Sequence, residues 1–401
     1  MATIERNGGF RSDSLQTYGG ESPEKLILRP GELYVSLKDV TQSADLLGAV
    51  ARVPIDIKVG RLTQDTVKLE PKDADTPLDY LYWLMRTPQY RGYCRAHATG
   101  TTNLGLARDD FLSFPAPQPT ADQLILVELL NELDKHSQLN RRMNETLEAM
   151  ARAIFQSWFV DFDPVRAKAA GRQPFGMDAA TAALFPNSFG DSLLGKIPKG
   201  WRVHMLPEIV EVNPSRSLAK GAESAYLDMQ NMPTRGHRAI GWIRRAFASG
   251  SRFSNGDTLV ARITPCLENG KTAFVDFLNE GEIGWGSTEF IVLRPKDPLP
   301  PEYAYCLARD EEFRDHAIQN MTGSSGRQRV PTDCFAQYLL VAPSEPVAKR
   351  FGEIVRPLFQ RAKVNSEESS VLSALRDTLL PKLISGEVRV KQAEELIEAK
   401  G

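Results

Sequence analysis

Two stretches of the chain place apolar residues at alternating steps of three and four, the pattern of a helix that packs along one face. The first seam consists of Leu126, Leu129, Leu133, Asn140, Leu147, Met150 and Ile154, with His136 and Met143 at the steps between. The second seam consists of Phe351, Ile354, Leu358, Asn365, Leu372, Leu375 and Leu379, with Arg361 and Glu368 between. Each position of the second seam lies 225 residues after its counterpart. The chain therefore contains two copies of one long predicted helix.

These predicted helices are too long for one small domain to bury. Thr120 and Gln123 form a capping box at the first helix start, and the second helix begins near Ser344. A helix of about 40 residues spans on the order of 60 Å, so it needs a long partner. The two copies pair most simply with each other, as an antiparallel coiled coil in which Asn140 and Asn365 disfavour slipped registers. Pairing of each helix with another chain is the alternative.

The segments before the two helices also repeat each other. Strand-like alternation occurs at 33–37 and 66–69, and 78–85 is typical of a short helix. Three pairs of short segments correspond: 30–35 with 255–260, 65–71 with 289–295, and 99–102 with 322–325. The pattern predicts an α/β (α+β) fold with two globular domains, two long antiparallel helices and a pseudo-two-fold repeat.

The repeat also predicts the domain boundaries. We expect a first domain at 1–117, a long helix at 118–160, a connection at 161–193, a second domain at 194–343, a second long helix at 344–386 and a tail at 387–401. At an offset of 225, the first domain has no counterpart of 195–225. Either that domain is abbreviated, or the sequence lacks its natural beginning.

Composition narrows the classes of function. The chain has 401 residues and a formal net charge of −2, so any binding of DNA must use local basic patches. Its four cysteines are scattered and no histidines lie at ligand spacing, so neither disulfides nor a zinc site is predicted. No apolar run approaches the length of a membrane span, and the start of the chain has no signal-peptide core. We expect a cytoplasmic protein without membrane contact.

A search for catalytic motifs finds none that fits. The segment 190–197 nearly matches a phosphate-binding loop, but Ile197 replaces the residue that would hold magnesium and a predicted strand follows. Asp257, Glu268 and Lys271 suggest a metal-dependent nuclease, yet residues three apart on a strand point to opposite faces. We predict no catalytic residue and no metal ligand.

A binding pattern is present instead. Between 229 and 256 the chain has five arginines and no acidic residue, which favours contact with phosphates and base edges. The candidate DNA-binding residues of the second domain are Arg235, His237, Arg238, Arg244, Arg245, Arg252, Arg262, Asn269, Lys271, Ser324, Ser325, Arg327, Gln328 and Arg329. Those of the first domain are Arg95, Thr101, Thr102 and Asn103. The alternative is an ordinary solvated surface.

Three strings resemble a known family, the DNA-specificity subunits of type I restriction-modification enzymes. They are GKIPKGW at 195–201, AIFQSWFVDF at 153–162 and LLPKLISGE at 379–387. The resemblance implies two target-recognition domains that each bind one half of a bipartite site in double-stranded DNA, at a spacing set by the helices. It departs from the family in the first domain, which lacks an equivalent of 195–206.

The resemblance also implies partners. Methyltransferase subunits would dock on the helices and restriction subunits with translocase activity would join that core. S-adenosylmethionine, ATP and magnesium would then belong to those partners, and this chain would hold no cofactor. Trp158 and Phe159, apolar and off the seam, are candidate partner-docking residues, although contact with a domain core explains them equally well.

The competing hypothesis is a coiled-coil adaptor whose helices dimerise with other chains and whose domains bind protein. The two hypotheses differ in oligomeric state, because intramolecular pairing of the helices leaves the isolated chain a monomer. Light scattering of the purified chain measures that state directly.

The arginine pattern generates a first test. Replacing Arg244 or Arg329 by alanine is expected to weaken DNA binding by about 1–3 kcal/mol, if the lost contact is to a base edge. Fluorescence anisotropy with labelled duplex measures the loss. Unchanged affinity in both variants would place the interface elsewhere.

Overall fold

The structure is a computed structural model that describes residues 3–11, 15–73, 75–324 and 326–385. The predicted tail at 387–401 and the end of the family string at Gly386 and Glu387 lie outside the described residues. The chain divides into two compact units, unit 1 with Met1–Leu139 and Glu368–Gly401, and unit 2 with Asn140–Glu367. Each unit therefore contains one half of each long helix.

Unit 1 is a small mixed domain. Its strands and helices are β1 (Ile27–Leu28), β2 (Leu33–Ser36), β3 (Lys38–Asp39), β4 (Val50–Arg52), β5 (Gly60–Arg61), β6 (Thr66–Lys68), α1 (Leu78–Leu84), α2 (Pro88–Ala96), β7 (Leu104–Gly105) and α3 (Arg108–Leu112). The central antiparallel sheet has the order β4-β2-β6, and β1 pairs with β5 and β3 with β7. Leu33 and Val35 of β2 face Trp83 and Tyr80 of α1 in the core.

The first long helix, α4 (Ala121–Phe155), follows, and a π-helical turn at Gln156–Val160 continues it. The capping box predicted from sequence is present. The amide of Thr120 donates to Oε1 of Gln123 at 2.8 Å, and the amide of Gln123 donates to Oγ1 of Thr120 at 3.3 Å. Both amides at this helix end are thus satisfied by side chains.

Unit 2 is larger and has two four-stranded sheets. After α4 come α5 (Asp163–Ala169), α6 (Ala179–Ala183), β8 (Phe189–Ser192), β9 (Gly195–Pro198), β10 (Arg202–Met205), α7 (Leu206–Ile209), β11 (Val210–Val212), β12 (Glu223–Leu227), β13 (Ile243–Ala246), β14 (Ser251–Phe253), β15 (Thr258–Ala261), β16 (Thr272–Phe274), β17 (Gly284–Gly286), β18 (Phe290–Pro295), α8 (Pro301–Arg309), α9 (Glu311–Gln319), β19 (Leu339–Ala342) and α10 (Glu345–Ser385). The inner sheet has the order β11-β18-β15-β16, and the outer sheet β13-β12-β17-β14.

The internal repeat holds in the described structure. β15 begins 225 residues after β2, and each strand lies between two antiparallel neighbours. Likewise β1 pairs with β5 as β14 pairs with β17. Unit 2 adds β11 at the edge of its inner sheet, beside β18. The two units therefore share one sheet pattern, to which unit 2 adds strands.

The long helices run antiparallel in unit 2. Nδ2 of Asn365 donates to Oδ1 of Asn144 at 2.9 Å, and Nδ2 of Asn144 donates to Oγ of Ser366 at 3.0 Å. Further along, the rings of Phe155 and Phe351 lie 6.3 Å apart. Because α4 advances from 144 to 155 while α10 retreats from 366 to 351, the two helices have opposite directions. In unit 1, the other halves of both helices share one apolar core.

The seam predicted from sequence is partly displaced. Asn140, Leu126 and Leu133 are buried, but Met150 is 48% exposed and His136 is also exposed. Several buried positions of α4 lie one residue after the predicted ones. Leu130, Ala151 and Phe155 are buried. The predicted seam residues Leu129, Met150 and Ile154 are half-buried or exposed. On α10, Val355 replaces Ile354 in the same way, and Arg361 and Glu368 are exposed. The domain cores, as well as the opposite helix, decide which face is covered.

The prediction that Trp158 and Phe159 dock partner subunits is wrong. Each is only 6% exposed, because the end of α4 enters the core of unit 2. The Phe159 ring lies 5.0 Å from that of Phe351 and 6.1 Å from that of Trp201. Two of the three family strings therefore meet in one aromatic cluster. That cluster fixes the domain to both helices.

The aromatic cluster generates a stability prediction. Phe351 is fully buried among Phe155, Trp158 and Phe159, so Phe351→Ala is expected to lower the free energy of unfolding by about 3–5 kcal/mol. Denaturant titration followed by tryptophan fluorescence measures it. Val364→Ala is the matched control on the same helix, since Val364 is 51% exposed. An equal effect of both variants would contradict the packing described.

Candidate nucleic-acid interface

A tight hairpin occupies the corresponding place in each unit. In unit 2 the amide of Thr322 donates to the carbonyl of Arg329 at 2.9 Å, and the amide of Arg329 donates back at 2.8 Å. In unit 1, Thr99 and Gly105 exchange the same pair of bonds at 2.9 and 2.8 Å. The polar loops that the sequence pairs with each other are therefore the tips of equivalent hairpins.

Glycine allows both hairpins to turn. Gly100 has φ of 99° and Gly323 has φ of 120°, in the left-handed region that disfavours side chains. A Cβ on Gly100 would also collide with the carbonyl oxygen of Asn103. Beyond these glycines the tips present exposed polar side chains, namely Thr101, Thr102 and Asn103 in unit 1 and Ser324 and Arg327 in unit 2. Ser325 lies outside the described residues.

In unit 2 the hairpin lies beside the end of β15. The amide of Thr264 donates to the carbonyl of Gln328 at 3.0 Å, and the amide of Val330 donates to the carbonyl of Arg262 at 2.8 Å. The loop 262–271 and the hairpin 322–329 thus form one continuous surface. Asn269, on that loop, is exposed and free to meet a ligand's polar groups.

The charges on this surface differ in availability. Arg327 is exposed, and no ion pair of its side chain occurs among the described residues. Arg329 is held by Glu289, with Nε 2.8 and 3.0 Å from the two carboxylate oxygens, although its side chain stays 45% exposed. Nε of Arg262 is buried without a hydrogen-bond partner in the described part of the chain. The surface carries more positive than negative groups, as contact with phosphates requires.

Arg244, Arg245 and Arg252 lie on the outer sheet, engaged with their neighbours. Nη1 of Arg244 is 2.8 Å from Glu282, and its Nη2 donates to the Glu223 carbonyl at 2.9 Å. The Arg245 guanidinium lies 4.9 Å from the centre of the Tyr226 ring and 5.7 Å from that of Trp285. Arg252 donates to the carbonyl of Arg216 and stacks on Phe247. All three arginines remain exposed.

Two of the predicted DNA-contacting side chains, His237 and Arg238, point towards the protein. His237 is 3% exposed, with its ring 4.7 Å from that of Phe359. Arg238 donates to Asp276 at 3.1 Å, to the Lys363 carbonyl at 3.1 Å and to Glu367 at 3.0 Å. The prediction that His237 and Arg238 contact DNA is wrong, because the segment that carries them packs on α10. The Arg238 guanidinium is bound there by protein carboxylates and a carbonyl.

Lys271 is likewise directed at the protein, since its Nζ donates to the carbonyl of Met229 and the residue is half-buried. Arg235, in contrast, is exposed beside the buried pair, and Arg95 is exposed on α2. The residues that the structure brings together on one surface are Arg262, Asn269, Arg327, Gln328 and Arg329. His237, Arg238 and Lys271 contact other parts of the protein instead.

Sequence reasoning missed Arg309, Tyr305 and Glu148. Arg309 is 7% exposed and its Nε donates to the Tyr305 hydroxyl at 3.0 Å, which donates to Glu148 of α4 at 2.6 Å. A single arginine at a helix end carries no motif. The pairing is created by tertiary contacts between residues 157 positions apart.

The nuclease hypothesis finds no site. Asp257 is fully buried and paired with Arg216 at 2.7 Å and Arg294 at 3.1 Å. Burial raises the pKa of its carboxyl, even though both arginines oppose that shift. Among the described residues, no three His, Cys, Asp or Glu side chains are grouped as metal ligands. Within the same residues, none of the helices has the length and apolarity to span a membrane.

The chain is similar to curated proteins of one kind. It is 24% identical over 335 residues to the type I restriction enzyme MjaIX specificity subunit of Methanocaldococcus jannaschii, covering 80% of this chain and 71% of that protein. It is 24% identical over 327 residues to the HindI specificity subunit of Haemophilus influenzae, covering 69% of each. No family model matches the chain.

One solved structure has the same fold over most of the chain. It is the S subunit of a type I restriction-modification system from M. genitalium, with a TM-score of 0.51 and 16% identity. The match covers 95% of this chain and 90% of that one. At this identity the likeness concerns the fold.

The buried histidine generates a pH prediction. Burial, with the nearby charges of Arg238 and Arg309, lowers the pKa of His237 to about 3. The pKa of a histidine in the unfolded chain is about 6.5. Between about pH 3 and about pH 6.5 the unfolded state therefore binds a proton at His237 that the folded state does not bind. The free energy of unfolding should therefore fall as pH drops from about 6.5 towards 3.

His237→Phe keeps the aromatic packing and removes this titration. Urea midpoints measured across the pH range should fall less steeply in the variant than in the unmodified chain. Parallel curves would show that His237 titrates normally in the folded state.

Proposed function

Since this chain belongs to the specificity subunits of type I restriction enzymes, we propose that it recognises a bipartite site in double-stranded DNA, one half with each unit. The observation that carries the proposal is the duplicated hairpin. Thr99 with Gly105 and Thr322 with Arg329 close their hairpins with the same pair of backbone hydrogen bonds, and both tips expose polar side chains. Two equivalent surfaces with different side chains suit a target with two different halves.

The composition of each tip supports this division. Hydroxyl and amide groups at 101–103 can donate to and accept from base edges, while Arg327 and Arg329 supply charge in unit 2. The Arg327 guanidinium is more available to a phosphate than that of Arg329, because Arg329 forms an ion pair with Glu289. Linking two such surfaces in one chain makes the second contact effectively intramolecular, which raises affinity without further contacts.

The proposal assigns no chemistry to this chain. Adenine methylation and cleavage, with S-adenosylmethionine, ATP and magnesium, would reside on methyltransferase and restriction subunits that assemble with it. The competing adaptor role is less favoured, since the curated relatives are specificity subunits and the helices have an internal partner.

Two measurements test the proposal. Co-expression with a methyltransferase partner, followed by mapping of methylated bases, should reveal a two-part motif with a fixed gap. A single continuous motif, or no methylation that depends on this chain, would contradict it.

Arg327→Ala should weaken binding to all duplexes alike. It should also lower the slope of log affinity against log salt by about 1, since one phosphate contact is lost. Arg172→Ala is the control, because Arg172 is exposed after α5 and away from the hairpin in sequence. A salt slope that changes in both variants or in neither would remove Arg327 from the interface.

A further inference from the structure

A buried guanidinium holds the loop that lies beside each hairpin. In unit 2, Arg309 donates to the carbonyls of Gly270 at 2.8 Å and Thr272 at 3.3 Å. The same group donates to the carbonyls of Thr234 at 2.9 Å and Gly236 at 2.6 Å. One side chain thus clamps the loop 264–272 to the segment that carries Arg235.

In unit 1, Arg91 does the same for the equivalent loop. It is 2% exposed and donates to the carbonyls of Leu47 at 2.6 Å, Asp45 at 2.8 Å and Ala44 at 3.0 Å. The two loops are equivalent in the repeat, because each joins the central strand, β2 or β15, to its antiparallel neighbour, β4 or β16. The bound carbonyls are not equivalent, since Val35 pairs with Val50 as Val260 pairs with Thr272, which makes Val50 the counterpart of Thr272. The two guanidinium groups therefore bind different backbone positions of the equivalent loop.

The two arginines are not themselves equivalent. Arg91 lies in α2, the helix equivalent to α9, whereas Arg309 ends α8, the helix equivalent to α1. The two units therefore hold the equivalent loop from different helices. The common requirement is therefore a fixed loop rather than a particular side chain in a particular helix.

The unit 1 loop is strained, and both loops adjoin the hairpins. Ala44 has φ of 54°, a conformation that costs energy for a residue with a Cβ, and its carbonyl is one that Arg91 binds. β3, just before the unit 1 loop, pairs with β7 of the hairpin. In unit 2, Thr264 bonds to Gln328. Each loop also exposes polar side chains, Gln42 and Ser43 in unit 1 and Glu268 and Asn269 in unit 2.

Arg309 is in turn anchored to a long helix. Its charge is balanced by Glu148 of α4, 3.7 Å away and 8% exposed, through the Tyr305 hydroxyl. A buried charge keeps its place only when paired and fully hydrogen-bonded, so the clamp has one stable arrangement. The loop of unit 2 is thereby held in register with the helix beneath it.

We propose that the loops 41–47 and 264–270 contact DNA next to the hairpins, and that Arg91 and Arg309 are positioning residues that set base selectivity, each in one half-site. The proposal rests on the function proposed above. Neither arginine touches DNA, because both are buried against backbone carbonyls. Each acts by presenting its loop in one conformation, which preserves the discrimination that adaptable loops lose.

The experiment selects duplexes from a random-sequence library with the full chain co-expressed with a methyltransferase partner. The unmodified complex should enrich a two-part motif. Arg309→Gln should lower base preference at positions of one half at least tenfold, and Arg91→Gln should do so in the other half. The proposal is overturned if both variants keep the unmodified base preference in both halves of the motif. It is also overturned if both variants lower the base preference in the same half. If the unmodified complex enriches no sequence, the proposed function itself fails.

Loss of folding must be separated from loss of positioning. Phe351→Ala destabilises the core of unit 2 without touching the clamp, so at a temperature where circular dichroism shows both variants folded it should keep its base preference. If Phe351→Ala lowers the base preference as much as Arg309→Gln does, the proposal is overturned. If Arg309→Gln does not fold, Tyr305→Phe removes only the hydroxyl between Glu148 and Arg309 and decides the question by the same measurement. Arg309→Lys should restore part of the selectivity.

Discussion

The antiparallel packing of α4 on α10 is the contact on which the rest of each unit depends. In unit 2 it is set by Asn144, Asn365 and Ser366, whose side chains bond to one another within an otherwise apolar interface. Asn365 is fully buried, so any shift of the helices would separate its side chain from a polar partner. Polar pairing of this kind specifies register at a cost in stability. In each unit, the helix halves contribute apolar side chains to the domain core.

The strings that carry the family resemblance contribute to this packing. Trp201, from the string that opens the second domain, lies against Phe159, from the string that ends the first helix. Phe351 joins them from α10. These residues are large, buried and in mutual contact, so a change in one leaves a cavity or a clash. The exposed side chains of the proposed DNA interface have no such mutual constraint, so they can differ between the two halves of the chain.

The arginines of the acid-free run show how charge is divided between fold and surface. Arg238 is bound by Asp276 and Glu367, and Arg244 by Glu282, all acids that lie far along the chain. Two of the five arginines in the acid-free run are therefore paired with acids, while Arg235, Arg245 and Arg252 stay exposed. Arg327, in the hairpin, is also exposed, and its side chain forms no ion pair among the described residues. This agrees with a chain whose net charge is only −2.

The sequence by itself determined the duplication, the two long helices, the capping box at Thr120, the equivalent hairpins and the core strands β2 and β15. All of these arise from local periodicity, turn chemistry and offset, which are properties of short segments. Tertiary structure decided which helix face is covered, that Trp158 and Phe159 are core, that His237 and Arg238 face α10, and that Arg91 and Arg309 each clamp the loop beside a hairpin. These outcomes depend on which distant carboxylates, carbonyls and rings the fold brings within a few ångströms. No pattern along the chain encodes those distances.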